Sequence, residues 1–136
     1  MKALDTGVVV AAFARWHDAH HTARAALSLQ PQIAGHSLVE SYSVLTRLPG
    51  PHRVRKELAA EFLELAFPDV PLCLSPLQLR SLVTTRLPAL GIAGGAVYDA
   101  IIAESVRLAG GTLITLDRRA FTTYERIGCP AELLTY

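Results

Sequence analysis

At 136 residues, 51% of them hydrophobic and 18% charged, the chain is long enough for one domain with a buried core and too apolar to be disordered. A net charge of +1, from 13 basic and 12 acidic residues, excludes a protein that holds nucleic acid by bulk charge, so any such role rests on local patches. Cys73 and Cys129 stand far apart and outside any CxxC pattern, which removes the basis for a disulfide framework or a cysteine-rich zinc site.

In chain order, "KAL" (residues 2–4) reads as a short strand that ends at the turn Asp5-Thr6-Gly7. "VVVAAFAR" (8–15) is ambiguous: its valines favour strand, while its alanines and lack of polar alternation allow a buried helix. Residues 18–29 carry Ala19, Ala23, Ala26 and Leu27 at helical spacing, and "PQIAG" (31–35) is a short strand. Residues 37–48 form an amphipathic helix stopped by Pro49-Gly50-Pro51. A second spans 53–67, with Leu58, Phe62, Leu65 and Ala66 on one side. "VPLCL" (70–74) reads as a strand, 76–87 as a helix and "GIAGG" (91–95) as a loop. A helix over 96–109 closes at Gly110-Gly111. "TLITL" (112–116) is then a strand, "RRAFTTYER" (118–126) a short helix and "AELLTY" (131–136) a final strand.

Strands separated by helices predict an α/β fold, a three-layer α/β/α sandwich with a central parallel sheet, formed as a single domain over residues 1–136. Asp5 interrupts the N-terminal apolar run where a signal peptide needs an uncharged core. No apolar run approaches the roughly 20 residues of a membrane span. The expectation is a soluble, cytoplasmic protein with no membrane association.

In such sheets ligands sit at the carboxyl ends of the strands, which makes the positions of the 12 acids informative. Glu57, Glu61 and Glu64 share a helix face with Lys56 and read as solvated, and mid-helix Glu104 reads the same way. Four others fall elsewhere. Asp5 follows the first strand, Asp117 follows "TLITL", Asp99 lies in the first turn of the helix before that strand, and Glu40 lies early in the helix after "QIA". Singly, helix capping or the helix dipole accounts for each aspartate, and Glu40 reads as simply exposed. Together, in a parallel sheet, they converge on one edge, where their mutual repulsion calls for a cation. All-oxygen ligands suit Mg²⁺ or Mn²⁺ better than zinc, and such a site suits phosphodiester hydrolysis.

The segments "LDTG", "LVESYSVLTRLP", "VYDAIIAES" and "LITLDRRAF", in this order across the whole chain, resemble the PIN domain, in particular the VapC-type ribonuclease toxins of toxin–antitoxin pairs. The resemblance implies a metal-dependent endoribonuclease that leaves a 5′-phosphate and a 3′-hydroxyl, with Asp5, Glu40, Asp99 and Asp117 as its acidic quartet. Asp5 and Asp99 are then direct ligands of Mg²⁺ or Mn²⁺, Asp117 completes the site, and Glu40 acts through water or a second metal position. Thr115 matches a supporting hydroxyl residue of the family. The family's usual small polar residue two positions after the first aspartate is here Gly7, with Thr6 as the substitute hydroxyl beside Asp5. The resemblance also implies a cognate antitoxin, seated against the apolar helices between residues 37 and 67, and a homodimer.

Other features compete. "LDTG" is also the aspartic-protease signature, but that fold is nearly all β and this chain is rich in helical patterns. His17, His20 and His21 in "WHDAHH" read as solvent-facing rather than metal-binding, and Trp16 as a packing residue. For an RNA strand the candidate contacts are Arg15, Arg86, Arg118 and Arg119, with the Arg53, Arg55 and Lys56 group. The alternative function is a PIN-fold module that binds RNA or protein without cutting it.

Overall fold

The computed structural model describes residues 1–136. Its centre is a parallel sheet in the order β2-β1-β3-β4, formed by β1 (Lys2–Leu4), β2 (Gln32–Ile33), β3 (Thr112–Thr115) and β4 (Ala131–Leu133). Side chains alternate across these strands, so neighbours in sequence enter different cores. Ala3 and Leu113 join one apolar cluster with Ile102 and Val106 of α7 (Ala96–Leu108) and Tyr124 and Ile127 of α8 (Arg118–Ile127). Leu4, Ile33 and Ile114 join the other, with Val8 and Val9 of α1 (Thr6–Phe13), Ala23 of α2 (His20–Leu27) and Leu63 of α4 (Lys56–Ala66). Two cores on two faces of one sheet make the predicted α/β/α sandwich. Helix α3 (Gly35–Thr46) packs against α1, α4 and α7, and no helix is long and apolar enough to cross a membrane.

The ambiguous valine run is helical. Val8, Val9, Ala11 and Ala12 are all buried, so α1 is apolar almost all round, as a helix enclosed by its neighbours must be. Asp5 starts it, its Oδ1 accepting from the Val8 N–H at 3.2 Å.

Two expectations are corrected. Residues 70–74 do not form a strand: they make one parallel bridge, Leu72 to Ala34, in which Leu72 N–H donates to Ile33 O at 2.9 Å and Gly35 N–H to Leu72 O at 2.8 Å. Pro71 has no N–H, and Pro68 and Pro76 close off both flanks, so the segment touches the sheet edge at a single residue. Glu104 is not on a solvated face. It is buried in α7, its carboxylate meeting Arg86 at 2.9 Å and Arg107 at 2.6 Å.

The predicted helix over 76–87 is present with a widened turn. The capping box of Ser75 and Gln78 opens α5 (Pro76–Ser81), a π-helical turn spans Leu82–Arg86, and α6 (Leu87–Leu90) ends at Gly91, whose φ is 66°. Pro88 cannot donate to the ladder, and just ahead of it Leu87 N–H reaches back to Leu82 O.

Candidate active site

Because β1 and β3 are adjacent and parallel, the residues that follow them leave the sheet at the same edge. Asp5 follows β1 and Asp117 follows β3, each also capping the next helix; Asp117 Oδ1 accepts from the N–H groups of Arg119 and Ala120 at 2.8 and 3.3 Å. Glu40 comes from α3 and Asp99 from the first turn of α7. All four carboxylates line one cavity of about 160 Å³, with Thr6, Gly7 and Tyr124. The capping reading and the cluster reading are therefore both true of the same aspartates.

The cavity is charged with little compensation. Asp5 is 4% exposed, and burial pushes its carboxyl up to about 6. The Thr115 hydroxyl, the Val8 N–H and the Tyr124 hydroxyl pull it down, while the charge of Asp117 raises it further. Asp99 is also raised, first by burial and then by Asp117 and Glu40, with His36 the one group that lowers it. No protein hydrogen bond to Asp99 counters that rise.

Tyr124 is the site residue the sequence analysis missed. Its hydroxyl donates to Asp5 Oδ2 at 3.2 Å, and burial with the charges of Asp5, Asp99 and Asp117 lifts its pKa far above the usual phenol value. It therefore remains a protonated donor. The one sequence signal for it is the spacing of Ala120, Tyr124 and Ile127, which puts the tyrosine on the inner stripe of α8.

The two supporting hydroxyls divide the work differently from expectation. Thr115 is fully buried; its Oγ1 accepts from Asp117 N–H at 3.0 Å, and its hydroxyl also steadies Asp5. Thr6 serves Glu40, not Asp5: its Oγ1 donates to Glu40 Oε1 at 3.4 Å. His36 Nε2 faces the same oxygen at 3.4 Å, and its ring stacks on Tyr98 with centroids 5.4 Å apart.

The four arginines scatter. Arg118 and Arg119 are exposed at the start of α8, beside Asp117. Arg86 is bound to Glu104 and donates to Ile127 O at 2.7 Å, so it clamps α7 and α8. Arg15 lies beyond the other end of α1, in a separate cleft with Trp16.

The donor set fits a hard divalent cation. All four acids offer oxygen, and Asp99 has no protein donor while its neighbours repel it. No three His, Cys, Asp or Glu side chains are disposed to ligate one ion together. An ion here would take few direct carboxylate ligands and keep waters in the rest of its shell, the habit of Mg²⁺.

Residues 2–127 match the family model described as PIN domain. The chain is 42% identical to Ribonuclease VapC40 of Mycobacterium tuberculosis over 135 residues, 99% of this chain and all of that one. It is 40% identical to Ribonuclease VapC27 of the same species over 131 residues, 93% of this chain and 91% of that one. Its fold also matches the crystal structure of VapBC2 from Rickettsia felis bound to a DNA fragment from their promoter, with a TM-score of 0.67 at 16% identity and 98% of each chain covered. On a matched domain and on near full-length identity to two such relatives, the chain belongs to the PIN-domain family, in its VapC branch.

Proposed function

We propose that the chain is a metal-dependent endoribonuclease, the toxin of a toxin–antitoxin pair, and that Asp5, Glu40, Asp99 and Asp117 are its catalytic acids. The observation that carries the reading is the small cavity ringed by four carboxylates with no arginine or lysine bound to any of them. The names of the relatives support the ribonuclease half.

Asp5 and Asp99 would hold Mg²⁺ or Mn²⁺ most directly, with Asp117 and Glu40 acting beside them or through water. A divalent ion bound there supplies a Lewis acid for the phosphate and lowers the pKa of a water. The chain's own part is orientation. Tyr124, Val8 N–H and Thr115 fix Asp5, and Thr115 also fixes the backbone of Asp117. Thr6 and His36 fix Glu40. Arg118 and Arg119 stand where exposed guanidinium groups can meet phosphates flanking the scissile bond.

The partner is a cognate antitoxin, for which exposed Val39 and Tyr42 on α3 and Leu65 on α4 offer apolar contacts. A homodimer and a cytoplasmic location complete the reading. The test is cleavage of total cellular RNA by purified protein with Mg²⁺ and with chelator, beside Asp5→Asn and Asp99→Asn. Cleavage that needs the metal and both aspartates is expected. Equal inertness of all three proteins, with RNA still bound, would mean a non-catalytic binding module.

A further inference from the structure

The largest cleft lies away from the acids, at the far end of α1. Asp5 caps the start of that helix and Phe13 ends it, a separation of about 12 Å at 1.5 Å per residue. The cleft is an open cavity of about 750 Å³, and Arg15, Arg24, Arg53 and Arg55 line it without a single acid among the lining residues. None of the four is paired with a carboxylate. Four of the chain's 13 basic residues thus meet in one concavity of a protein whose net charge is only +1.

The cleft also carries an aromatic platform. Trp16 is 50% exposed, and its ring packs on His52 with centroids 4.3 Å apart and planes at 36°. Below them Phe13 and Phe62 meet edge to face at 5.0 Å, giving the cleft an apolar floor. Two histidines that follow Trp16 in sequence are held by backbone: His17 Nδ1 accepts from Ala19 N–H at 3.0 Å, and His20 Nδ1 contacts Ala11 O at 2.9 Å. His20 lines the cleft.

We propose that this cleft is a second RNA-binding site, in which unpaired guanidinium groups hold the phosphates of a single strand and Trp16 stacks on one of its bases. Charge selects a polyanion, and the half-exposed indole beside the cations selects one with flat π-faces; an acidic peptide would meet the charge and leave the platform unused. The cleft and the acidic cavity share α1, so one strand engages both, anchored at one end of the helix and presented for cutting at the other. The identity of the ligand rests on the ribonuclease reading above.

Trp16 is the only tryptophan in the chain, so its fluorescence reports the cleft directly. A labelled oligouridylate of about 12 nucleotides, within the span of known single-strand sites, would be titrated into the full chain in chelator, where nothing is cut. The expected result is quenching of Trp16 in step with the anisotropy of the label. Trp16→Ala weakens binding about tenfold. Arg15→Ala/Arg53→Ala lowers the slope of log K against log salt by about 1.4, while Arg80→Ala, on α5, leaves it unchanged. Unquenched Trp16 with an unaltered slope in the double variant would overturn the proposal. So would quenching by oligoglutamate but not by RNA, which assigns the cleft to a protein partner. Binding is read without metal, so the two readings fail separately. A chain that binds RNA through the cleft and cuts none loses the nuclease reading alone. One that cuts RNA with its cleft inert loses only the second site.

Discussion

Asp5 is buried, caps a helix and also faces a crowded acidic cavity, and the two roles favour opposite protonation states. The cap favours the carboxylate, whereas burial lifts its pKa to about 6. At pH 7.5 without metal, the ionised group therefore costs the fold about 3 kcal/mol relative to a neutral one. Asp5→Asn keeps an oxygen for the Val8 N–H and loses the charge. It should raise the midpoint of chemical unfolding in chelator while reducing RNA cleavage to background. Tyr124→Phe should act differently: it removes a donor to a buried carboxylate, costing about 1–2 kcal/mol of stability, and raises the Mg²⁺ concentration needed for half-maximal cleavage. At this scale the acids were legible in the sequence, because each aspartate sits at a strand or helix boundary. Tyr124 was not, since its meaning depends on a contact 119 residues away.

Among the elements, the strands and most helices were legible from short branched runs and apolar spacing. The misreadings have local causes. "VPLCL" has a strand's composition, but Pro71 removes the donor that a paired strand needs. Glu104 has a surface residue's chemistry, yet two arginines from different parts of the chain make it tolerable inside. Arg86 ends the π-helical turn and binds Glu104 of α7 and the last carbonyl of α8, so three elements meet at one guanidinium. Glu104→Ala should cost about 2 kcal/mol, below the usual figure for a broken buried pair because both arginines are about a third exposed. A urea midpoint shifted down at constant m-value would register it. Cleavage per folded molecule should be unchanged, which separates this cluster from the acidic one.

For the whole molecule, the acidic cavity predicts a coupling of stability to pH and to metal. Without metal, the folded chain keeps the Asp5 proton up to about pH 6, whereas the unfolded chain releases it near 3.8. Across that window the folded state binds more protons, so the contribution of Asp5 to stability falls as pH rises and levels off above about 6. Asp99, raised in the same direction, adds to the slope. Melting temperatures in chelator from pH 4 to 7.5 would show this, and Asp5→Asn should flatten the profile. Adding Mg²⁺ or Mn²⁺ at neutral pH should raise the melting temperature of the wild type, by the logarithm of its concentration over Kd, and leave Asp99→Asn nearly unmoved. The sheet order has a further consequence, for synthesis. β1 is made early but sits between β2 and β3, and β3 is made long after it. Its pairing with β3 waits for distant chain, which slows folding. A nascent chain on the ribosome carries Asp5, Glu40 and then Asp99 as unconnected acids until β3 has emerged and docked. The centre proposed to cut RNA is therefore assembled only after β3 has docked, and a shorter nascent chain carries no complete site.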